Sequence, residues 1–263
     1  SQWEFENKDY EKASAFGRVF LINLGVPIGA LPVTGGSEQI WHPIVLEAVY
    51  NAPLVTEYNK RNPDGRNIDA GKLLRGEWPR GRQSFEEIDV LMPDPVSDEE
   101  PSIIRVNARR QEEDGTWVET FPGGESRVSV PVPRVHADEL AFVHGYLRLW
   151  GTPYRPPQPT PLVMTYRVCF ESGREIEIPV YSAQHLRPVR TSVQPLPKAE
   201  LAFQTQEVGG EDAGETTAYY LMRWRNPHPE EKIKRIEIEA SEQSAHMPIV
   251  LAISYAASEV AFD

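Results

Sequence analysis

At 263 residues, with 40% hydrophobic and 25% charged side chains, the chain carries enough apolar material for a sizeable core, which excludes wholesale disorder. A net charge of −12 disfavours nucleic acid and anionic lipid as partners. No apolar run reaches the roughly 20 residues that span a bilayer, and the single cysteine, Cys169, excludes an intrachain disulfide and a zinc site built on several thiolates.

Prolines (24) outnumber glycines (18), which suits strands joined by long surface loops and argues against long helices. Residues 1–17 read as a polar arm with scattered aromatics, and GRVFLINLG after it as a buried strand. IWHPIVLEAVYNAPLV is a second apolar segment, a strand pair or a short helix held between Pro43 and Pro53. Residues 59–84 are loop-like and basic, SFEEIDVLMP resumes strand character, PDPVSDEEPS is an acidic loop, and SIIRVNARR is a strand. In EEDGTWVET, Asp114-Gly115 signals a hairpin with Trp117 on its return strand.

The second half is more regular. ELAFVHGYLRLW reads as a strand, and GTPYRPPQPTP as a long proline-rich loop. Tyr166, Val168 and Phe170 alternate before the turn Glu171–Arg174, and Ile176, Ile178 and Val180 alternate after it, the clearest hairpin in the chain. AYYLMRWRNP and KIKRIEIEA form two strands around the turn NPHPEE, and MPIVLAISYAA closes as a buried strand. Tyr220, Met222 and Trp224 take one face, Leu221 and Arg223 the other. Ile233 is out of phase with Ile236 and Ile238, which predicts a bulge between them. The expected architecture is an all-β jelly-roll sandwich with long loops and little helix: an arm over 1–17 and one domain over 18–263, or alternatively a split near residue 135.

LAFVHGYLRLWG, YRVCFESGREIEIPV, YYLMRWRNPHPEEKIKRIEIEA and PIVLAISYA, preceded by FLINLG and FEEIDVLMPDP…SIIRV, together resemble a galactose-binding-like β-sandwich. More narrowly, they resemble the jelly-roll modules attached to secreted bacterial glycoside hydrolases. The resemblance spans roughly residues 18–257, rests on strand and turn patterns, and speaks to fold more than to activity. It implies a non-catalytic bacterial module that binds glycan or packs against neighbouring subunits. SQWEF is read as a processed mature N-terminus, and the expected location is extracellular, at the cell surface or periplasmic.

The residues themselves carry little catalytic signal. Glu86, Glu87 and Asp89 in FEEID are carboxylates for a glycosidase reading, with Glu87 and Asp89 on one strand face, but an outer strand face gives the same pattern. No G-x-S-x-G occurs, and Cys169 between Val168 and Phe170 reads as a small buried strand residue. The six histidines are dispersed, with no H-x-H or H-E-x-x-H, and His228 reads as a solvent-facing turn residue. Asp94, Asp98 and Glu99 in the acidic loop offer hard oxygen ligands for calcium, the alternative being a solvated loop; no other cofactor is expected. Sugars stack on aromatic faces and take hydrogen bonds from guanidinium and carboxylate groups. The loop-borne residues of that kind are Trp78 and Arg80, Trp117, and Trp150, Tyr154 and Arg155. The expected function is therefore carbohydrate binding without catalysis. The alternative is a structural subunit of a surface or multi-protein assembly, with the proline-rich loop and the arm as contact surfaces.

Overall fold

The computed structural model describes residues 39–53, 78–97, 100–107, 109–111, 117–119, 125–148, 161–189, 193–206, 216–241 and 246–257. The arm and the strand expected before residue 39 lie outside them. Within the described residues the first half contributes β1 (Ile40–Pro43), a 3-10 turn (Glu47–Val49), β2 (Ala52–Pro53), β3 (Gly81–Phe85), β4 (Ile88–Met92), β5 (Pro101–Arg105), β6 (Arg109–Gln111), β7 (Trp117–Glu119) and β8 (Arg127–Val135). The second half contributes β9 (Glu139–Arg148), β10 (Leu162–Phe170), β11 (Glu175–Tyr181), β12 (Glu200–Gln206), β13 (Thr216–Arg225), β14 (Ile233–Ala240) and β15 (His246–Ala257).

Two antiparallel sheets face each other. The larger runs β12-β13-β9-β15-β5-β2, with β1 also paired to β15, and the smaller runs β11-β10-β14-β8. From β5 onward the chain crosses repeatedly between them. The orders β13-β9-β15-β5 and β11-β10-β14-β8 are those of an eight-stranded jelly roll, two Greek keys wound together. Strands on both sides of residue 135 share both sheets, and Ile40–Asp263 is one compact unit.

The apolar pattern follows from how many faces each strand buries. In β9, Leu140, Phe142 and Tyr146 point between the sheets, while Ala141, Val143 and Leu147 point to a second apolar layer on the outside of the larger sheet. β15 is buried on both faces in the same way, so AFVHGYL and MPIVLAIS read as continuous apolar runs. Strands of the smaller sheet are covered on one side and alternate: in β14, Ile236, Ile238 and Ala240 are buried and Lys234 is exposed. The two proline-bearing strands β8 and β11 sit at its edges, where a missing N–H breaks no ladder.

A hairpin, β3–β4, supplies the lid of the outer layer with Ile88, Val90 and Met92. Ser254 of β15 donates to the Asp89 carbonyl (2.7 Å), and Phe85 stacks on Phe203, which stacks on Tyr219 (6.0 and 5.3 Å between centroids). This corrects the sequence reading of residues 59–84 as loop and of SFEEIDVLMP as one strand segment. Glu86 and Glu87 form the two-residue turn, both with left-handed backbone (φ 48° and 66°), so Glu87 does not share a strand face with Asp89. The short helix allowed between Pro43 and Pro53 is one 3-10 turn between two strands. The expected bulge beside Ile233 is present, as a register shift between Ile233 and Arg235 against β8.

Candidate functional site

The two ends of the sandwich differ in kind. At one end the chain turns tightly, at His136–Asp138, Glu171–Arg174 and Asn226–Lys232. There Asn226 is buried and fixes the turn that Pro227 and Pro229 begin. Its amide donates to the Ala137 carbonyl (2.8 Å) and the His228 carbonyl (3.1 Å), and its oxygen accepts from the His228 N–H (3.0 Å). This turn and the neighbouring β10–β11 turn, set side by side by the β10–β14 register, bring a polar cluster together. Arg174 donates to His228 Nε2 (2.9 Å) and pairs with Glu231 (2.8 Å), His228 Nδ1 faces Glu230 (3.3 Å), and the Ser172 hydroxyl donates to Glu231. An acceptor role at Nε2 leaves the ring proton on Nδ1, donated to Glu230.

Ligand atoms of His228, Glu230 and Glu231 lie within 4.8 Å of one another, a donor set that suits a divalent cation. The Arg174 guanidinium already occupies His228 Nε2 and neutralises Glu231, so a cation would first have to displace it. The Glu230 carboxyl is held below the ordinary range, first by a backbone hydrogen bond and then by His228 and Arg174, with burial opposing. The sequence reading saw His228 only as a solvent-facing turn residue. The missing signal is the pairing of two turns distant in the chain.

A second polar group is sealed between the sheets. His144 is fully buried, with Nδ1 2.8 Å from the Tyr166 hydroxyl and Nε2 3.0 Å from the His185 carbonyl. A carbonyl only accepts, so Nε2 carries the proton and Tyr166 donates to Nδ1. Burial pushes His144 down to about 3 and the Tyr166 phenol well above its usual range. His185 Nδ1 in turn accepts from the Tyr181 N–H (3.0 Å). Cys169 is buried as expected, yet on the outer face of the smaller sheet, beside Arg167, Arg235 and Glu175. Burial and the neighbouring carboxylates raise its thiol against the pull of Arg235, which suits an inert residue.

The other end gathers the long connections. Arg105 and Asn107 precede β6 and Glu125 follows β7, and the Asn107 N–H donates to the Glu125 carbonyl (2.9 Å). Val106 N–H meets the Pro248 carbonyl (3.1 Å), Ala240 meets Ser126 (3.2 Å), and Ser241 meets Val163 (3.0 Å). Arg148, where β9 ends, pairs with His246, where β15 begins. The stretches that carry Trp117, Trp150, Tyr154 and Arg155 therefore leave and re-enter the fold at one rim. Trp150, Tyr154 and Arg155, and the side chain of Trp117, lie outside the described residues.

Trp78 and Arg80 precede the β3–β4 hairpin. Trp78 is half-buried against the outer apolar layer, and the Arg80 guanidinium lies 4.9 Å from its ring centroid. A sugar stacking there would have to displace Arg80. Of the calcium candidates, Asp94 is exposed and paired with Arg80 at 3.7 Å, which lowers its pull on a cation, while Asp98 and Glu99 lie outside the described residues. No protein-family model matches the chain, and no curated protein matches it significantly in sequence.

Proposed function

We propose that the chain is a non-catalytic, galactose-binding-like jelly-roll module that binds carbohydrate at the rim of long connections. One observation carries this reading: the segments bearing Trp117, Trp150, Tyr154 and Arg155 spring from the same end of the sandwich. Aromatic and guanidinium groups on clustered loops over a rigid β scaffold are the means by which sugars are held. Among the described residues, two groups suited to catalysis are otherwise engaged. His144 is sealed between the sheets, and Glu231 is bound by Arg174 and Ser172. Glycoside hydrolysis wants one carboxyl raised, whereas the Glu230 carboxyl is pushed down. The exported, bacterial setting comes with the family resemblance and is part of the same proposal.

A glycan array probed with the whole chain tests the reading. Binding to a defined glycan is expected, and Trp150→Ala or Tyr154→Ala should weaken it by about 1–3 kcal/mol. Trp78→Ala should lower the melting temperature and leave binding unchanged. Jelly rolls serve as shell subunits as well as lectins. Binding to no glycan, together with a defined oligomer, would replace this reading with that of a structural subunit.

A further inference from the structure

After β11 the chain runs SAQHLRPV, Ser182–Val189, a short segment whose Leu186, Pro188 and Val189 are buried. It is built as a strap. Ala183 takes left-handed backbone (φ 59°) and donates its N–H to the Leu186 carbonyl (2.9 Å), which turns the chain toward the larger sheet. There β13 pairs with β9 only as far as Tyr220, opposite His144. Past that point the strap passes between the two strands. Pro188 bridges Tyr146 in parallel, Val189 donates its N–H to the Tyr146 carbonyl (2.9 Å), and Ala218 donates to the Val189 carbonyl (2.9 Å). Leu186 packs between the sheets, and Val189 in the outer layer over Gly145, so the strap plugs the gap from one face to the other.

The same strap holds His144. Nε2 of this ring donates to the strap's His185 carbonyl, and Nδ1 accepts from Tyr166 of β10. Tyr220 of β13 and Val250 of β15 stand opposite it in register. Two residues on in β9, Tyr146 shares a hydrogen bond with Ser182 of the strap (2.7 Å) and packs on His246 of β15 (4.6 Å between centroids). His185 is itself buried, beside the Tyr181 ring and Lys198. Among the described residues neither His144 nor His185 is paired with a carboxylate. A proton added to either ring therefore meets no counter-charge while the strap is in place.

We infer that Ser182–Val189 is an acid-released latch: protonation of His144, seconded by His185, frees the strap from between β9 and β13 and opens the rim end of the core while both sheets stay paired. Linkage gives the direction. His144 stays neutral in the closed form down to about pH 3 and takes a proton near pH 6.5 once hydrated, so falling pH favours any state that wets the ring. Burial lowers His185 too, with Lys198 adding to it. Release of the strap is the smallest state that wets both rings. It gives up the contacts of one short segment, whereas β9 keeps its ladder with β15 and, from Glu139 to His144, its ladder with β13. The latch sits at the rim, beside the points where β9 ends and β10 and β13 begin. Nothing in it depends on whether the rim binds sugar or protein.

Amide hydrogen exchange of the whole chain, corrected for intrinsic rates, tests it. The Val189 and Ala218 N–H groups are bonded across the strap. They should exchange through a smaller opening than amides paired between β10 and β14. From pH 7 to pH 5 the opening constant of these two should rise about twentyfold. His144→Gln keeps a donor for the His185 carbonyl and an acceptor for the Tyr166 hydroxyl, and cannot be charged. It should remove most of that rise. Strap amides as protected as those between β10 and β14, protection that does not change with pH, or a rise that survives His144→Gln would each overturn the inference. The first two readings need no variant, so they decide even if His144→Gln does not fold.

Discussion

His144 couples the interior of the fold to pH. The unfolded chain takes up a proton on this ring near pH 6.5, while the folded chain refuses it until about pH 3. The stability this represents is complete above the upper value and is lost as the pH falls through the window, at about 1.4 kcal/mol per pH unit. Burial lowers His185 as well, which adds in the same direction. Chemical denaturation at pH 7, 6 and 5 should show stability falling with pH. His144→Phe should flatten that slope, and should lower stability at pH 7 by about 1–3 kcal/mol by stranding the Tyr166 hydroxyl. One position away, Gly145 meets a constraint of space. A Cβ there would lie 2.5 Å from Val189 Cγ1 and 3.1 Å from the Tyr219 ring. Gly145→Ala should therefore cost about 1–3 kcal/mol by overpacking, read as a lower melting temperature. The sequence marks neither residue: H-G-Y in an apolar run looks like a weakness in the strand until Tyr219 is known to cross it.

At the scale of elements, local chemistry was readable where turn and pattern agree. Glu171–Arg174 announces a hairpin because Gly173 takes φ +89° between two alternating runs, and the phase slip at Ile233 announces a bulge. The β3–β4 hairpin was not readable, because Glu86-Glu87 is not turn chemistry. A two-residue turn with both backbones left-handed favours Asn-Gly, and strand-like residues on both sides hid the reversal. This yields a test. Replacing Glu86-Glu87 with Asn-Gly should stabilise the fold by about 1 kcal/mol, seen as a raised melting temperature with unchanged circular dichroism. The polar cluster of the Asn226–Lys232 turn escaped for another reason. Arg174, Ser172 and Glu231 meet only through the β10–β14 register, which no local pattern encodes.

At the scale of the molecule, the fold separates the end that holds from the end proposed to bind. Asn226 and the Arg174–Glu231 pair lock the tight turns, while the long connections leave from the other rim. Substitutions should divide accordingly. Asn226→Ala should lower the melting temperature, through loss of buried hydrogen bonds worth about 1 kcal/mol each, and leave glycan affinity intact. Trp150→Ala should do the reverse. The all-β class was legible from proline use and alternating runs. The outer apolar layer was not, because a strand buried on both faces looks the same whatever covers its second face. The order of strands also has a consequence for how the chain is made. β15 lies between β9 and β5, yet is synthesised after both, so Ile104 waits for Val250 before its pairing exists. On the ribosome β9 and β5 each keep one edge unpaired until β15 emerges, and such late closure is slow and open to aggregation. Chaperone demand during translation should therefore end only once MPIVLAIS has cleared the exit tunnel.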